Sequence, residues 1–150
     1  MGSEARGCVL HIEDDAAVRS AVRLLMSGEG YPCHSVASGR EALQLVRDAG
    51  VRPDVLIADF HLDEDMDGAE AAEALIGALG YPLPVIILTA DPTNAEAPWT
   101  TQAPVWLVRK PMDPALLLAA MPPLVQLARA LRAAATSAPS RNVPTAALRR

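Results

Sequence analysis

The stretch Asp54-Val55-Leu56-Ile57-Ala58-Asp59 decides how this chain folds. Its four central residues are all apolar and lack the polar–apolar alternation of a strand that has one face in water. A second run of the same kind, Val85-Ile86-Ile87-Leu88, ends on Thr89. Both runs therefore predict strands of a parallel sheet whose two faces are covered by helices.

Three further apolar runs lie outside these two, with helical patterns between them. The predicted strands are Cys8–Ile12, Cys33–Val36, Val55–Asp59, Val85–Thr89 and Val105–Val108. The first three predicted helices are Ala16–Glu29, Ala42–Ala49 and Gly68–Leu79, the second preceded by a capping box of Ser38 and Glu41. This alternation predicts an α/β fold built on a five-stranded parallel sheet.

The last two helical segments are less regular. Thr93–Ala103 has poor helix propensity, so we expect a short or irregular segment there. Another helix begins after Asp113, a good N-cap residue, and we expect Pro122-Pro123 to bend or break it. A second helical piece is then predicted over Leu124–Ala135. We expect residues 1–123 to form one domain and residues 124–150 to form a helical extension with a disordered tail.

Composition narrows the class of protein. The chain has 150 residues, 51% of them hydrophobic and 3% aromatic, which suits one domain with an aliphatic core. No run of 18 apolar residues and no signal pattern appears, so we expect a cytoplasmic protein that does not span a membrane. Cys8 and Cys33 are expected as reduced core residues, and their spacing from the three histidines argues against a zinc site.

Charge divides the chain into two parts. Residues 1–123 hold all 18 acidic residues and eight of the 13 basic ones, a net charge of −10. Residues 124–150 hold five arginines and no acidic residue. The acidic body argues against a DNA-binding domain in this part of the chain. We expect the basic tail to be solvated.

Chemically active residues follow the strands directly. Glu13-Asp14-Asp15 comes after the first strand, Asp59 closes the third, Thr89 closes the fourth, and Lys110 follows the fifth. In an open α/β sheet such residues collect at the carboxyl ends of the strands. Carboxylates meeting there repel one another unless a cation lies among them, and their oxygens suit Mg²⁺. Asp59 is then a candidate nucleophile that forms an acyl phosphate, with Mg²⁺, Lys110 and Thr89 stabilising the phosphoryl oxygens.

Lys110 is the only lysine in the chain, against twelve arginines. An ammonium group on a flexible stem is not equivalent to a planar guanidinium, so its use here points to a specific task. A surface lysine that arose by chance would explain the residue taken alone. Its place beside Asp59 and Thr89 at matching strand ends favours the functional interpretation.

At this point a family resemblance becomes specific. Residues 8–121 resemble the receiver domain of two-component response regulators, in four motifs that occur in the family's order. These are Val9-Leu10-His11-Ile12-Glu13-Asp14-Asp15, Asp54-Val55-Leu56-Ile57-Ala58-Asp59, Ile87-Leu88-Thr89-Ala90-Asp91 and Arg109-Lys110-Pro111. The resemblance implies a flavodoxin-like, doubly wound sheet with strand order 2-1-3-4-5. It also implies a signalling domain that catalyses only its own aspartyl phosphorylation and dephosphorylation.

The resemblance also implies roles for individual residues. Asp59 would be the phosphoacceptor, and Asp14 a direct Mg²⁺ ligand. Glu13 would help to hold Mg²⁺ through water, and the backbone carbonyl of His61 would complete the ligands. Thr89 and Lys110 would bind the phosphoryl group together with the backbone N–H groups of His61 and Ala90. The donor would be a phosphohistidine on a sensor histidine kinase or a histidine phosphotransfer protein, and Lys110-Pro111 would be a cis peptide.

Two positions depart from the family pattern. Asp63 stands where receivers usually have proline, in a loop with four acidic residues that is one residue longer than the commonest form. These acids either tune the metal site and partner choice or are simply solvated. Leu107 stands where the family usually has the aromatic residue of its switch, and we expect Trp106 to pack in the core or under a helix instead. The resemblance leaves a homodimer open, and the prolines in the last two helical segments argue against assuming one.

Three alternatives compete with this interpretation. The first is a receiver-like scaffold that works without phosphorylation, which a small phosphodonor would distinguish. The second is a small phosphatase of the haloacid dehalogenase type, but its chemistry needs an acid two residues after Asp59, where His61 stands. The third is a nucleotide or flavin binder, whose glycine-rich loop would have to follow a strand, whereas Gly28-Glu29-Gly30 follows a helix.

Overall fold

Five parallel strands form the centre of the molecule. The computed structural model describes residues 6–62, 65–91 and 104–136. The strands are β1 (Val9–Ile12), β2 (Cys33–Val36), β3 (Val55–Asp59), β4 (Val85–Thr89) and β5 (Val105–Arg109). They lie in the order β2-β1-β3-β4-β5, and every neighbouring pair is parallel. The predicted flavodoxin-like fold and strand order are confirmed.

The described helices are α1 (Ala16–Gly28), α2 (Gly39–Asp48), α3 (Gly68–Leu79) and α4 (Pro114–Thr136). The predicted capping box before α2 is only half present. The Ser38 hydroxyl accepts the N–H of Glu41 as expected, but the Glu41 carboxylate accepts the N–H of Ala37 instead of that of Ser38. The predicted irregular segment Thr93–Ala103 lies outside the described residues.

Alternate residues of the strands pack on opposite faces of the sheet, and the four described helices lie two on each face. On one face, Leu56 and Ala58 of β3 join a buried cluster with α2 and α3. On the other face, Val55 and Ile57 join a cluster that includes residues of α1 and α4. Because a strand sends successive side chains to opposite sides, a fully apolar strand is the expected solution for a sheet covered twice.

Helix α4 is continuous, so the predicted division at Pro122-Pro123 is wrong. The helix runs without interruption from Pro114 to Thr136. Its buried residues on both sides of the two prolines follow helical spacing and are Leu117, Met121, Leu124, Val125 and Ala128. Burial of this stripe against the sheet offsets the hydrogen bonds that the prolines remove. The boundary proposed after residue 123 therefore falls inside a helix.

One of the described helices, α4, is long and apolar enough to cross a membrane by length and composition alone. That is weak evidence for a membrane span, because core helices pass the same test. Five of its side chains are buried against the rest of the domain. One face of helix α4 is therefore packed against the sheet.

Trp106 and the two cysteines differ from their expected environments. Trp106 is 42% exposed and is not covered as a core residue would be. It lies on β5, an edge strand with a single neighbour, so part of its surface has no adjoining strand to cover it. Cys8 and Cys33 are both free, as expected, but each is half-buried.

An ion pair at the amino end of the sheet attaches the second half of α4 to the domain. The Arg132 guanidinium donates to the carboxylate of Asp54 over 2.9 Å and to the carbonyl of Pro53 over 3.1 Å. It also stacks on the Tyr81 ring, 4.1 Å from its centroid. Asp54 is buried and accepts the backbone N–H of Cys8 as well. The expectation that the basic residues after 123 are simply solvated is therefore wrong for Arg132.

We expect Arg132→Leu to lower the free energy of unfolding by about 1–2 kcal/mol, because it leaves the buried Asp54 carboxylate without its cation. Arg129→Leu is the matched control, since Arg129 is exposed and its one long hydrogen bond goes to the carbonyl of Arg6. Urea denaturation would measure both variants. Equal stabilities for the two variants would show that the ion pair does not fasten α4.

His11 is a buried titratable residue in the middle of β1. It is 1% exposed, and its Nδ1 lies 3.0 Å from the hydroxyl oxygen of Ser35. Burial, helped by the charge of Arg19, lowers the pKa of His11 from 6.5 to about 4. The unfolded chain therefore binds a proton between these two pH values that the folded chain does not bind. The stability that the neutral His11 ring contributes is therefore fully present above pH 6.5 and is lost as the pH falls towards 4.

We expect acidification from about pH 7.5 to pH 5 to cost the wild-type chain about 2 kcal/mol through His11 alone. The variant His11→Asn cannot titrate, and its amide can still meet Ser35. Its loss of stability over the same range should be smaller by that amount, although the variant starts lower because it removes ring volume. Urea titrations at the two pH values would measure this difference. Parallel losses in the two proteins would contradict it.

Candidate functional site

The carboxyl ends of β1 and β3 bring three carboxyl groups together. Glu13 and Asp14 follow β1 directly, and Asp59 is the last residue of β3. One oxygen from each side chain lies within 4.8 Å of the others. Glu13 and Asp59 are buried, at 4% and 2% exposure, whereas Asp14 is exposed. The predicted acidic cluster is therefore present, with two members inside the domain and one facing solvent.

Like charges this close shift the proton affinity of the cluster. Burial, together with the neighbouring Asp59 carboxyl group, raises the pKa of Glu13 from 4.5 to about 7. The backbone N–H of Asp15, which donates to Glu13 Oε2 over 3.0 Å, opposes this shift. Near neutral pH the cluster therefore lacks enough positive charge to keep every carboxyl group ionised.

Lys110 supplies one cation to the cluster. Its Nζ lies 3.3 Å from Asp59 Oδ2. Its backbone N–H donates to the carbonyl of Thr89 over 2.8 Å, and the peptide that follows, Lys110-Pro111, is cis as the resemblance implied. Asp59 Oδ1 is buried and has no hydrogen-bond donor among the described residues. One oxygen of Asp59 is thus paired and the other is left for an electrophile or a cation.

The end of β4 contributes a hydroxyl group to the site. Thr89 is buried, and its Oγ1 accepts the N–H of Asp91 over 3.3 Å. A hydroxyl that accepts in this way keeps its own hydrogen to donate. Ala90 is exposed, and its carbonyl accepts a hydrogen bond of 3.1 Å from Arg109 at the end of β5. This contact joins the ends of β4 and β5.

The loop between β3 and α3 is fixed at both ends. The backbone N–H of Phe60 donates to the carbonyl of Leu88, and the backbone N–H of Gly68 donates to the carbonyl of Phe60 over 2.7 Å. Asp67 and Glu70 form a complete capping box at the start of α3. This box was missed from the sequence, although the Asp-x-x-Glu spacing before an apolar run could have found it.

The acidic residues of this loop have separate roles. Asp65 pairs with Arg40 of α2 over 2.6 Å, although both side chains are largely exposed. Asp67 caps α3, as above, and Asp63 and Glu64 lie outside the described residues. Neither described acid belongs to the Glu13–Asp14–Asp59 cluster. His61 is exposed and its ring meets that of Phe60 edge-on, with centroids 4.9 Å apart.

Leu107 lies in β5, at the position where the resemblance implied the aromatic residue of a switch. It is half-buried and packs against the core cluster that includes α2 and α3. Trp106, its exposed neighbour, points to the other side of the strand. Leu107 pairs in register with Ile87 of β4. An aliphatic side chain therefore fills this place in the sheet.

Comparison with known proteins agrees with this arrangement. The model of the response regulator receiver domain matches residues 9–122. The response regulator MprA of Mycolicibacterium vanbaalenii is 36% identical over 88 residues, which are 59% of this chain and 36% of that protein. The chain thus spans little more than a third of the curated relatives that it matches.

Solved structures of receiver domains resemble this chain over more of its length than the curated relatives do. A response regulator receiver domain protein (CheY-like) of Methanospirillum hungatei is 26% identical with a TM-score of 0.69, covering 83% of this chain and 98% of that one. The chemotaxis response regulator CheY4 of Vibrio cholerae is 29% identical with a TM-score of 0.65, covering 78% and 97%. With the family model matching most of its length, this chain belongs to the response regulator receiver domain family.

Proposed function

We propose that this chain is a phosphoacceptor domain in which Asp59 takes a phosphoryl group from the phosphohistidine of a sensor histidine kinase or a histidine phosphotransfer protein. The observation that carries the proposal is the environment of Asp59. One of its oxygens lies 3.3 Å from the only lysine, and the other is buried, has no donor among the described residues and lies beside two more carboxyl groups. We place this reaction in the cytoplasm, with altered binding of a downstream protein as its result.

The residues present fit Mg²⁺. Asp59 Oδ1 has no donor among the described residues, and the oxygens of Glu13 and Asp14 lie near it. Hard oxygen donors with one side open to solvent are what Mg²⁺ prefers, since it keeps several waters. Asp14 and Asp59 would hold the ion directly, Glu13 through water, and the carbonyl of His61 would complete the set. When bound, the ion supplies positive charge to the phosphoryl oxygens.

The remaining groups would stabilise the transferred phosphoryl group. Transfer spreads negative charge over its three outer oxygens, so catalysis depends on donors already in place. Lys110 supplies an ammonium group at Asp59, and Thr89 supplies a hydroxyl hydrogen. The backbone N–H groups of His61 and Ala90 complete the donor set. The carboxylate of Asp59 attacks phosphorus, the histidine nitrogen of the donor leaves, and an acyl phosphate remains.

The direct test is incubation with Mg²⁺ and acetyl phosphate, followed by intact mass spectrometry. We expect the gain of one phosphoryl group, mapped to the peptide that contains Asp59 and lost on mild alkaline treatment, as acyl phosphates are. A chelator should prevent the gain. An unchanged mass under conditions that label a known receiver would favour the phosphorylation-independent scaffold.

We expect Lys110→Ala to slow phosphorylation of Asp59 about a hundredfold, because it removes a preorganised cation from the transition state. Lys110→Arg keeps the charge but carries it on a wider planar group, so the rate should recover only in part. Phosphorylation rates measured with acetyl phosphate at fixed Mg²⁺ should fall in the order wild type, Lys110→Arg, Lys110→Ala. Equal rates for wild type and Lys110→Ala would contradict a catalytic role for this lysine.

A further inference from the structure

Arg19 of α1 reaches back to the acidic cluster without belonging to it. Its guanidinium donates to the backbone carbonyl of Glu13 over 2.9 Å. Its own backbone N–H donates to the carbonyl of Asp15 over 3.0 Å, as part of the first turn of α1. Arg19 is half-buried, so the contact is partly shielded from water. One side chain therefore bridges the helix and the residue that follows β1.

The other polar groups of Glu13 are also held. Its N–H donates to the carbonyl of Val36 in β2 over 2.9 Å. Its side chain accepts the N–H of Asp15 over 3.0 Å, and Asp15 in turn caps α1 through the N–H groups of Ala17 and Val18. The carbonyl is the one main-chain group of Glu13 whose partner is a side chain. Substitution can therefore remove that contact without changing the backbone of the sheet.

We propose that Arg19 is a positioning residue, which holds the Glu13 peptide so that the carboxyl groups of Glu13 and Asp14 face Asp59. The inference rests on the proposed function, since it assigns a second layer of support to the Mg²⁺ site. Groups of this kind orient the ligands of a metal, and their loss weakens binding although they do not touch the ion.

Charge and position make opposite predictions for this residue. If Arg19 acted only as a nearby positive charge, its removal would strengthen binding of a cation, because like charges repel. If Arg19 holds Glu13 in place, its removal weakens binding. Arg23 lies one turn further along α1 and is exposed. Arg23→Ala therefore removes the same charge from the same face of α1 and leaves the contact between Arg19 and Glu13 in place.

The experiment compares wild type, Arg19→Ala, Arg19→Lys and Arg23→Ala. Calorimetric titration with magnesium chloride gives the affinity, and melting curves check that each variant is folded. We expect Arg19→Ala to weaken Mg²⁺ binding about tenfold. Arg19→Lys should restore part of the loss, since an ammonium group can also donate to a carbonyl. Arg23→Ala should leave the affinity unchanged or slightly higher.

A second measurement does not need the metal. Amide hydrogen exchange, followed by NMR on the metal-free chain, reports the hydrogen bond between the Asp15 N–H and the Glu13 carboxylate. We expect the Asp15 amide to exchange several-fold faster in Arg19→Ala, with the amides in the middle of α1 unchanged. Arg23→Ala should exchange like wild type at Asp15.

The outcomes separate this inference from the proposed function. If wild type binds Mg²⁺ and Arg19→Ala binds it equally well or more tightly, the positioning role is overturned while the proposed function stands. If wild type binds no Mg²⁺, the proposed function fails, and the exchange rate of the Asp15 amide decides the positioning role by itself. An unchanged rate at Asp15 overturns it.

Discussion

Asp59→Asn is expected to abolish the phosphoryl gain and at the same time to stabilise the metal-free fold by about 1 kcal/mol. An amide cannot form an acyl phosphate, so the reaction loses its nucleophile. The stability should rise because Asp59 is buried beside Glu13, whose pKa is raised first by burial and then by the neighbouring Asp59 carboxyl group. An asparagine amide can donate to Glu13 and still accept from Lys110.

Mass spectrometry with acetyl phosphate and urea denaturation without Mg²⁺ would test the two halves of this prediction. Asp113→Asn is the matched control. Asp113 is exposed and caps α4 through the N–H of Ala115, a task that asparagine performs nearly as well. The control should keep the phosphoryl gain and an unchanged stability. Labelling of Asp59→Asn to the wild-type level would place the phosphoacceptor elsewhere.

Addition of Mg²⁺ should make wild type more stable than Asp59→Asn, the reverse of the order expected without the metal. A ligand that binds only the folded state raises the free energy of unfolding with its concentration. Wild type should therefore gain stability on addition of Mg²⁺, whereas Asp59→Asn should gain much less because one ligand has lost its charge. A function that requires crowded acids is thus expected to cost stability whenever the cation is absent.

Gly68→Ala is expected to destabilise the fold by about 3 kcal/mol and to disturb phosphorylation of Asp59. A methyl group at Gly68 would overlap the carbonyl oxygen of Asp59, and it would lie 3.0 Å from the Asp59 carbonyl carbon and 3.1 Å from Cα of Phe60. These atoms are backbone and cannot swing aside as a flexible side chain can. Relief of the overlap would therefore shift the residue that carries the nucleophile.

Gly77→Ala provides a control in the same helix. Gly77 lies in α3 and is exposed, and an added Cβ there meets nothing within 4 Å. Alanine should stabilise the helix at this position by about 0.5–1 kcal/mol because it loses less backbone entropy than glycine. Urea denaturation should give opposite signs for the two variants. If Gly68→Ala proved as stable as wild type, there would be room for a methyl group between α3 and the backbone of Asp59.

The sequence alone predicted the strands and the residues at their ends. Val55–Asp59 and Val85–Thr89 are β3 and β4 with the same bounds, because a strand covered on both faces needs an apolar residue at nearly every position. Parallel strands start at one edge and end at the other, so the carboxyl groups after β1 and β3 had to meet. Their approach, and that of Lys110, follows from topology and not from any local signal.

Long-range packing decided the features that local sequence patterns do not predict. Two adjacent prolines predict a broken helix when local propensity is considered alone, yet α4 is continuous because buried residues on both sides of them pack on one sheet face. Trp106 is apolar and stands in an apolar run, but β5 is an edge strand and leaves it 42% exposed. Arg132 could not be matched to Asp54 from sequence, since the two are 78 residues apart.

By itself the sequence determined where the five strands lie, to within one residue at each end, and which acids, hydroxyl group and lysine stand at their carboxyl ends. These are consequences of local side-chain chemistry and of the two-residue period of a strand. Only the tertiary structure decided that Asp59 has one oxygen beside Lys110 and one without a donor among the described residues, that Arg19 donates to the carbonyl of Glu13, and that Arg132 pairs with Asp54. Such contacts depend on distances between segments far apart in the chain, and these distances are set only when the helices pack on both faces of the sheet.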